Sequence, residues 1–199
     1  MKSLHLSKPH LLVVVGIPGA GKTFFASQFA ETFNVPFIHY SDLQTIREPR
    51  LSEEETALVA GALFQELVKT KQTILIDGPG ASRIERAALA QQARAAGYEP
   101  LFIWVQTEQP TAKARAIRGV RGSSYEPISE EVFTAEVKRF TPLNAAEKSL
   151  VISGKHTYAS QAKMVLKRLA EPAAEARRAT PIATNVRPAQ RQGSRITIR

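Results

Sequence analysis

The chain has 199 residues, 43% of them hydrophobic, with 27 Lys and Arg against 18 Asp and Glu, a formal charge of +9. This length suits one well-buried core, and the lack of any cysteine excludes a disulfide scaffold, a thiolate zinc site and a cysteine nucleophile. No apolar run approaches the ~20 residues of a membrane span, and the short run after Lys2 and Lys8 leads into Gly16-Ile17-Pro18-Gly19 rather than a cleavage site, so a soluble, cytoplasmic chain is expected.

Five apolar runs punctuate the sequence: Leu11 to Val15, Pro36 to Tyr40, Thr73 to Ile76, Leu101 to Val105 and Leu150 to Ile152. They are continuous rather than alternating, as strands covered on both faces of a parallel sheet require. Helices are predicted between them. The first, Lys22 to Phe33, follows the first run directly. Ser52-Glu53-Glu54-Glu55 reads as a capping box opening a helix with an apolar stripe of Leu63, Phe64, Leu67 and Val68. Ser82 caps an Ala-rich helix through Arg94 that stops near Gly97. Further helices are expected over Thr111 to Arg118, Ser129 to Phe140 and Tyr158 to Leu169. Strand-helix alternation predicts a single three-layer α/β domain over residues 1–171. Residues 172–199 hold six arginines, one acid and no aromatic residue. That composition predicts a disordered basic tail, either merely solubilising or making non-specific contact with nucleic acid.

Gly16-Ile17-Pro18-Gly19-Ala20-Gly21-Lys22-Thr23 matches the P-loop pattern G-x-x-x-x-G-K-[ST] completely. The glycines let backbone N–H groups close around phosphate oxygens, and the following helix points its N-terminal dipole at the same anions. Lys22 reaches the β and γ phosphates, and the Thr23 hydroxyl is a magnesium ligand. Gly16, Pro18, Gly19, Ala20, Gly21, Lys22, Thr23 and Phe24 are therefore the expected ATP-contacting residues. Asp77 ends the third apolar run, at the sheet edge where ligands bind in open α/β sheets. It either holds Mg2+ with Thr23 or only begins the turn Asp77-Gly78-Pro79-Gly80.

Asp42 follows the second run at the same edge. Parallel neighbours lie ~4.8 Å apart, so an acid two strands from the P-loop stands about 10 Å away. There it either orients and deprotonates an acceptor alcohol or caps the next helix. Arg47 is placed to bind an anionic group of a substrate bidentately. Arg115 and Arg118 share a helix face at i, i+3, with Arg121 just beyond. They form either an arginine-bearing lid over the phosphates or an ordinary solvated basic helix. His5, His10, His39 and His156 show no metal-ligand spacing and read as surface or strand-end residues. Trp104 reads as core, and Arg83 and Arg86 either as helix-surface residues, the reading preferred here, or as groups facing the acceptor.

The order of P-loop, Ser41-Asp42-x-x-x-x-Arg47, Asp77 and an arginine-spaced helix resembles the small P-loop kinases related to phage polynucleotide 5′-hydroxyl kinase and the zeta-toxin sugar-nucleotide kinases, an AAA-type ATP-binding domain. The likeness covers residues 10 to about 170. It implies a P-loop NTPase fold with a five-stranded parallel sheet in the order 2-3-1-4-5, ATP as phosphoryl donor with Mg2+, and Asp42 as base on the acceptor hydroxyl. It also implies a lid in which Arg115 clamps the triphosphate while Arg118 and Arg121 act on the migrating phosphoryl group. Asp77-Gly78-Pro79-Gly80 and Gln106-Thr107-Glu108 depart from the usual family residues after strands three and four. The acceptor stays open among a nucleic-acid 5′ end, a nucleotide sugar and a small metabolite. The alternative is a nucleotide-binding switch or weak NTPase without a dedicated acceptor.

Overall fold

A computed structural model describes residues 4, 6–119 and 126–171; the expected tail and Arg121 lie outside them. The strands are β1 (His10–Val15), β2 (Phe37–His39), β3 (Ile74–Asp77), β4 (Glu99–Gln106) and β5 (Ser149–Ser153). All pair in parallel, in the order β2-β3-β1-β4-β5. This is the order the resemblance implies. The helices are α1 (Lys22–Phe33), α2 (Tyr40–Gln44), α3 (Glu53–Leu67), α4 (Arg83–Ala95), α5 (Gln109–Arg118), α6 (Glu130–Arg139) and α7 (Tyr158–Ala170).

The continuous apolar character of β1 has a direct cause. Successive side chains point to opposite faces, and each face is covered. Leu12 and Val14 join Phe25, Phe29 and Phe33 of α1 and Val165 and Leu169 of α7. Leu11, Val13 and Val15 join Ala60 and Phe64 of α3 and Ala90 and Ala93 of α4. A third cluster, Ala112, Ala116 and Phe133, pins α5 to α6.

Local signals set the helix ends. Ser52 and Glu55 form the reciprocal capping box, and the Ser82, Ser129 and Thr157 side chains accept N-terminal backbone N–H groups of α4, α6 and α7. Two details differ from the sequence reading. The buried face of α3 is Thr56, Ala60 and Phe64, while Leu63 is exposed, because the stripe is narrower than its apolar residues suggest. Tyr40 starts α2 instead of ending β2.

Arg86 corrects the expectation of a helix-surface residue, for it is fully buried. Its Nε and Nη2 donate to the two Glu147 carboxylate oxygens at 2.5 and 3.2 Å. Its Nη1 donates to the Gly80 and Ala81 carbonyls at 3.0 and 3.1 Å. Glu147 in turn accepts from the Asn144 backbone N–H at 3.0 Å. The guanidinium fork therefore ties the loop after β3 to the segment entering β5, and the planar bidentate geometry explains why it is an arginine.

Removing one partner of such a pair strands a buried charge. Arg86→Met is expected to lower unfolding free energy by about 3–5 kcal/mol, and Arg86→Met with Glu147→Leu to recover much of that, as read from urea midpoints. The hydrogen bond from Arg86 holds the Glu147 carboxyl below its ordinary value of 4.5. A depressed carboxylate stabilises above its unfolded pKa and loses that contribution as pH falls through the folded one. Wild type should therefore lose more stability than the double variant on acidification below pH 4.5.

Candidate functional site

The carboxyl ends of β1, β2 and β3 open into a cavity of about 990 Å³. Its floor is the loop between β1 and α1. Gly19 takes φ +73°, and a Cβ there would lie 2.1 Å from the Ala112 carbonyl of α5. Only glycine permits both the turn and this approach. Lys22 Nζ donates to the Ile17 carbonyl at 3.1 Å. Burial lowers the Lys22 pKa, opposed by the charges of Asp77 and then Glu136. An ammonium held in a desolvated pocket attracts an incoming anion more strongly than one in water.

Thr23 Oγ1 donates to Asp77 Oδ2 at 2.6 Å. The hydroxyl expected to ligate Mg2+ and the carboxylate read either as its partner or as the start of a turn thus converge on one point, a hard oxygen donor pair of the kind this ion takes while keeping waters and phosphate oxygens. Among the described residues no cluster of three or more His, Asp or Glu side chains could enclose a metal by itself.

The cavity extends past Asp77 toward α2, α3, α4 and α6. Tyr40, Ser41 and Gln44 line it, with Glu53, Glu54, Glu85 and Glu136. The cation among these residues is Arg139, whose guanidinium lies 3.3 Å from Glu85, 3.5 Å from Glu53 and 3.8 Å from Glu136. Glu85 also accepts from the Gly80 and Ala81 N–H groups at 2.9 and 3.1 Å; against desolvation, which raises it, the Gly80 bond and the Arg139 guanidinium hold its carboxyl below the ordinary value.

On the opposite side the wall comprises Phe24, Arg115, Gly154, Lys155, His156 and Gln161. Arg115 Nη1 donates to the Gly154 carbonyl at 3.3 Å. Thr107 Oγ1 donates to the Ala20 carbonyl at 2.9 Å, locking the P-loop to the end of β4.

Of the expected site residues, Pro18, Gly19, Gly21, Lys22, Thr23, Phe24, Asp77 and Arg115 line this cavity, and Gly16 lines a smaller one adjoining it. Ala20 is buried beneath the loop. Asp42 stands at the rim, with 76% of its side chain exposed. It meets the cavity through His39, whose Nδ1 lies 3.0 Å from Asp42 Oδ1 and whose Nε2 lies 3.7 Å from Asp77 Oδ2. Arg47 is outside the cavity, paired with Glu55 at 2.6 Å. Arg118 is exposed at the end of α5 and does not line the cavity.

His39, read as a surface or strand-end residue, does end β2, but its place in the cavity went unseen, and Glu85, Glu136, Arg139 and Gln161 escaped the sequence reading. The first was recoverable: β2 pairs with β3 so that His39 lies opposite Asp77. The others sit on helices with no motif to mark them.

A family model described as an AAA domain matches residues 11–143. The chain belongs to that AAA-domain family. Its fold is also that of several solved structures. A gluconokinase from Sinorhizobium meliloti 1021 is 17% identical with a TM-score of 0.59, over 81% of this chain and 92% of that one. A sugar kinase from Janibacter sp. HTCC2649 is 16% identical, TM-score 0.59, over 81% and 94%. Chaetomium thermophilum Kti12, in complex with ADP-AlF3, is 18% identical, TM-score 0.61, over 81% and 100%. At these identities the likeness establishes a shared P-loop, kinase-like fold. No curated protein matches the sequence.

The AAA-domain cleft depends on close backbone contact at Gly154, where a Cβ would lie 2.1 Å from the Ala20 carbonyl and 2.2 Å from Thr107 Oγ1. Gly154→Ala is expected to destabilise the fold by about 1–3 kcal/mol through overpacking. Gly61→Ala on α3, where the methyl meets nothing within 4 Å, should instead raise stability by about 0.4–1 kcal/mol. Thermal melts of the two variants check both signs.

Proposed function

We propose that this AAA-domain protein is an ATP- and Mg2+-dependent kinase that phosphorylates an alcohol of a small acceptor carrying no phosphate. The observation behind this reading is the size and lining of the cavity beyond Asp77. A nucleotide switch needs room for its nucleotide alone; here a second chamber of hydroxyl, amide and carboxylate groups adjoins the phosphate end. The gluconokinase and sugar kinase titles among the structural neighbours support a phosphotransferase, and the ADP-AlF3 in the Kti12 structure supports a nucleotide ligand.

In this reading Lys22 and the P-loop N–H groups hold the β and γ phosphates, and Thr23 and Asp77 would hold Mg2+, which neutralises phosphate charge when bound. Asp42 acts on the acceptor through His39, as the pair that orients the hydroxyl and takes its proton. The acceptor oxygen then forms the new bond to γ-phosphorus as the β–γ bridging bond breaks. Arg115, facing the cavity, is the arginine best placed to steady the triphosphate.

The acceptor class follows from charge. A nucleic-acid 5′ end or a nucleotide sugar brings phosphates into a chamber with Glu53, Glu54, Glu85 and Glu136 on its walls, where Arg139 is already shared among three of them. Like charges in a partly desolvated site cost several kcal/mol, and Arg47, the residue expected to receive an anion, is occupied by Glu55. The narrower resemblance to polynucleotide and zeta-toxin kinases therefore extends to the donor machinery and Asp42, with a polyhydroxyl metabolite as the favoured acceptor.

The test is a transfer assay with labelled ATP against neutral polyols, amino sugars, 5′-hydroxyl oligonucleotides and sugar nucleotides. Transfer to the uncharged or amine-bearing group is expected, and transfer confined to phosphate-bearing acceptors overturns the acceptor class. Lys22→Ala should weaken ATP binding by about 1.5–3 kcal/mol. Asp42→Asn should leave ATP affinity nearly unchanged and slow transfer by roughly 10²–10⁴-fold. Full-rate transfer by Asp42→Asn would reduce Asp42 to a helix-terminal residue, and nucleotide binding with no acceptor in any class would favour a switch.

A further inference from the structure

The chain carries a net charge of +9, and the fold decides where that excess lies. The helix dipole favours cations in a helix's last turn. Helices that cover a parallel sheet run back against its strands, so their C-termini gather at the strands' amino end. Lys69 and Lys71 stand there after α3, Arg94 at the end of α4, and Lys167 and Arg168 at the end of α7. Lys8, ahead of β1, and Lys148, ahead of β5, add two more cations. Four carboxylates share this end: Glu31, Glu66, Glu99 and Glu171.

Those acids are spoken for. Glu99 is shared by Lys8 at 4.0 Å and Lys148 at 2.5 Å, Lys69 takes Glu66 at 2.6 Å, and Arg168 takes Glu171 at 2.8 Å. Among the described residues, Lys71, Arg94 and Lys167 are exposed with no carboxylate within 4 Å. The chain leaves α7 at this same end, and residues 172–199 bring six arginines, one glutamate and no lysine. Seven cations against four carboxylates on the face, and six against one in the segment that follows, hold +8 of the +9. The cavity lies at the opposite, carboxyl end of the strands.

We propose that this amino-end face, together with residues 172–199, binds a nucleic-acid duplex through its phosphates. Five strands about 4.8 Å apart spread the cations over roughly 20 Å, a span that a polyanion covers and a small anion does not. Arginine in place of lysine throughout 172–199 suits phosphate, which its planar fork meets bidentately. An anionic membrane needs apolar side chains to bury in the interface. Among the described residues, none of the exposed large hydrophobic ones lies in the last turns of α3, α4 and α7 or just ahead of the strands. No exposed aromatic ring is there to stack an unpaired base, so the denser charge of a duplex, one per ~1.7 Å of axis, is favoured over a single strand. A duplex held at this end leaves the cavity open.

The probe is a labelled DNA duplex of about two helical turns, titrated with the full chain by fluorescence anisotropy at several salt concentrations. Binding is expected to fall with salt, with a slope of about −0.9 per neutralised phosphate. Combining Lys71→Gln, Arg94→Gln and Lys167→Gln should weaken it about tenfold or more and flatten the slope by roughly two to three. Removing the same charge at the cavity end, with Lys113→Gln, Lys138→Gln and Lys155→Gln, should cost less than about threefold, since those groups lie beyond the screening length. Lysine acylation read by mass spectrometry needs no variant to fold: the duplex should protect Lys8, Lys69, Lys71, Lys148 and Lys167 and leave Lys113, Lys138 and Lys155 reactive. Wild type that binds no duplex at low salt overturns the proposal. So does tighter binding to a single strand or to phosphatidylserine vesicles. Wild-type affinity in the first triple variant, equal loss in both, or protection of the cavity-end lysines instead also overturns it.

Discussion

The cleft depends on backbone lying directly on backbone. The P-loop is wedged between α5, which meets Gly19 through the Ala112 carbonyl, and the loop after β5, whose Gly154 abuts the Ala20 carbonyl. Thr107 closes the third side with its hydrogen bond to the same carbonyl. A loop of five or six residues with left-handed glycines has many conformations in isolation. Contact on three sides removes them before any ligand arrives, so the N–H groups are already arranged for an anion. Such preorganisation lets backbone N–H groups meet an anion without first paying to order the loop.

The same packing distributes the roles around the sheet. β1 is central, so elements after β3 and β2, joined by α6 from the long connection after β4, face one end of the P-loop, and α5 and the elements after β5 face the other. Lys22, Thr23 and Asp77 mark the division. Carboxylates and hydroxyls from α2, α3, α4 and α6 collect on one side, and Phe24, Arg115 and the Gly154–His156 loop on the other.

Much of this was legible in the residues alone. The P-loop is a contiguous motif whose physics dictates its residue types, and the uninterrupted apolar strands announced a sheet covered on both faces. The Ser52 and Ser82 caps fixed two helix starts. What stayed hidden depends on long-range partners. Arg86 has the composition of a surface residue until Glu147, 61 positions later, and two loop carbonyls enclose it. Arg47 looked free to bind an anion, yet Glu55 in the next helix claims it. Asp42 was legible as an acid at the correct edge, whereas its contact through His39 needed the register of β2 against β3. Gln161 carries no pattern.

Two arginines brace this architecture under opposite electrostatic regimes. Arg86 is sealed from water, and its attraction to Glu147, a side chain 13% exposed, is screened much less than a surface pair. Arg139 is 43% exposed and gathers α3, α4 and α6 at the rim through pairs of 3.3 to 3.8 Å. At physiological ionic strength the screening length is about 8 Å, and it shortens to roughly 3 Å at 1 M. The rim is thus a fastening that salt loosens more readily than the frame beneath it. Ionic strength therefore weakens the ties among α3, α4 and α6 at the rim more than it weakens the Arg86 brace on the loop after β3.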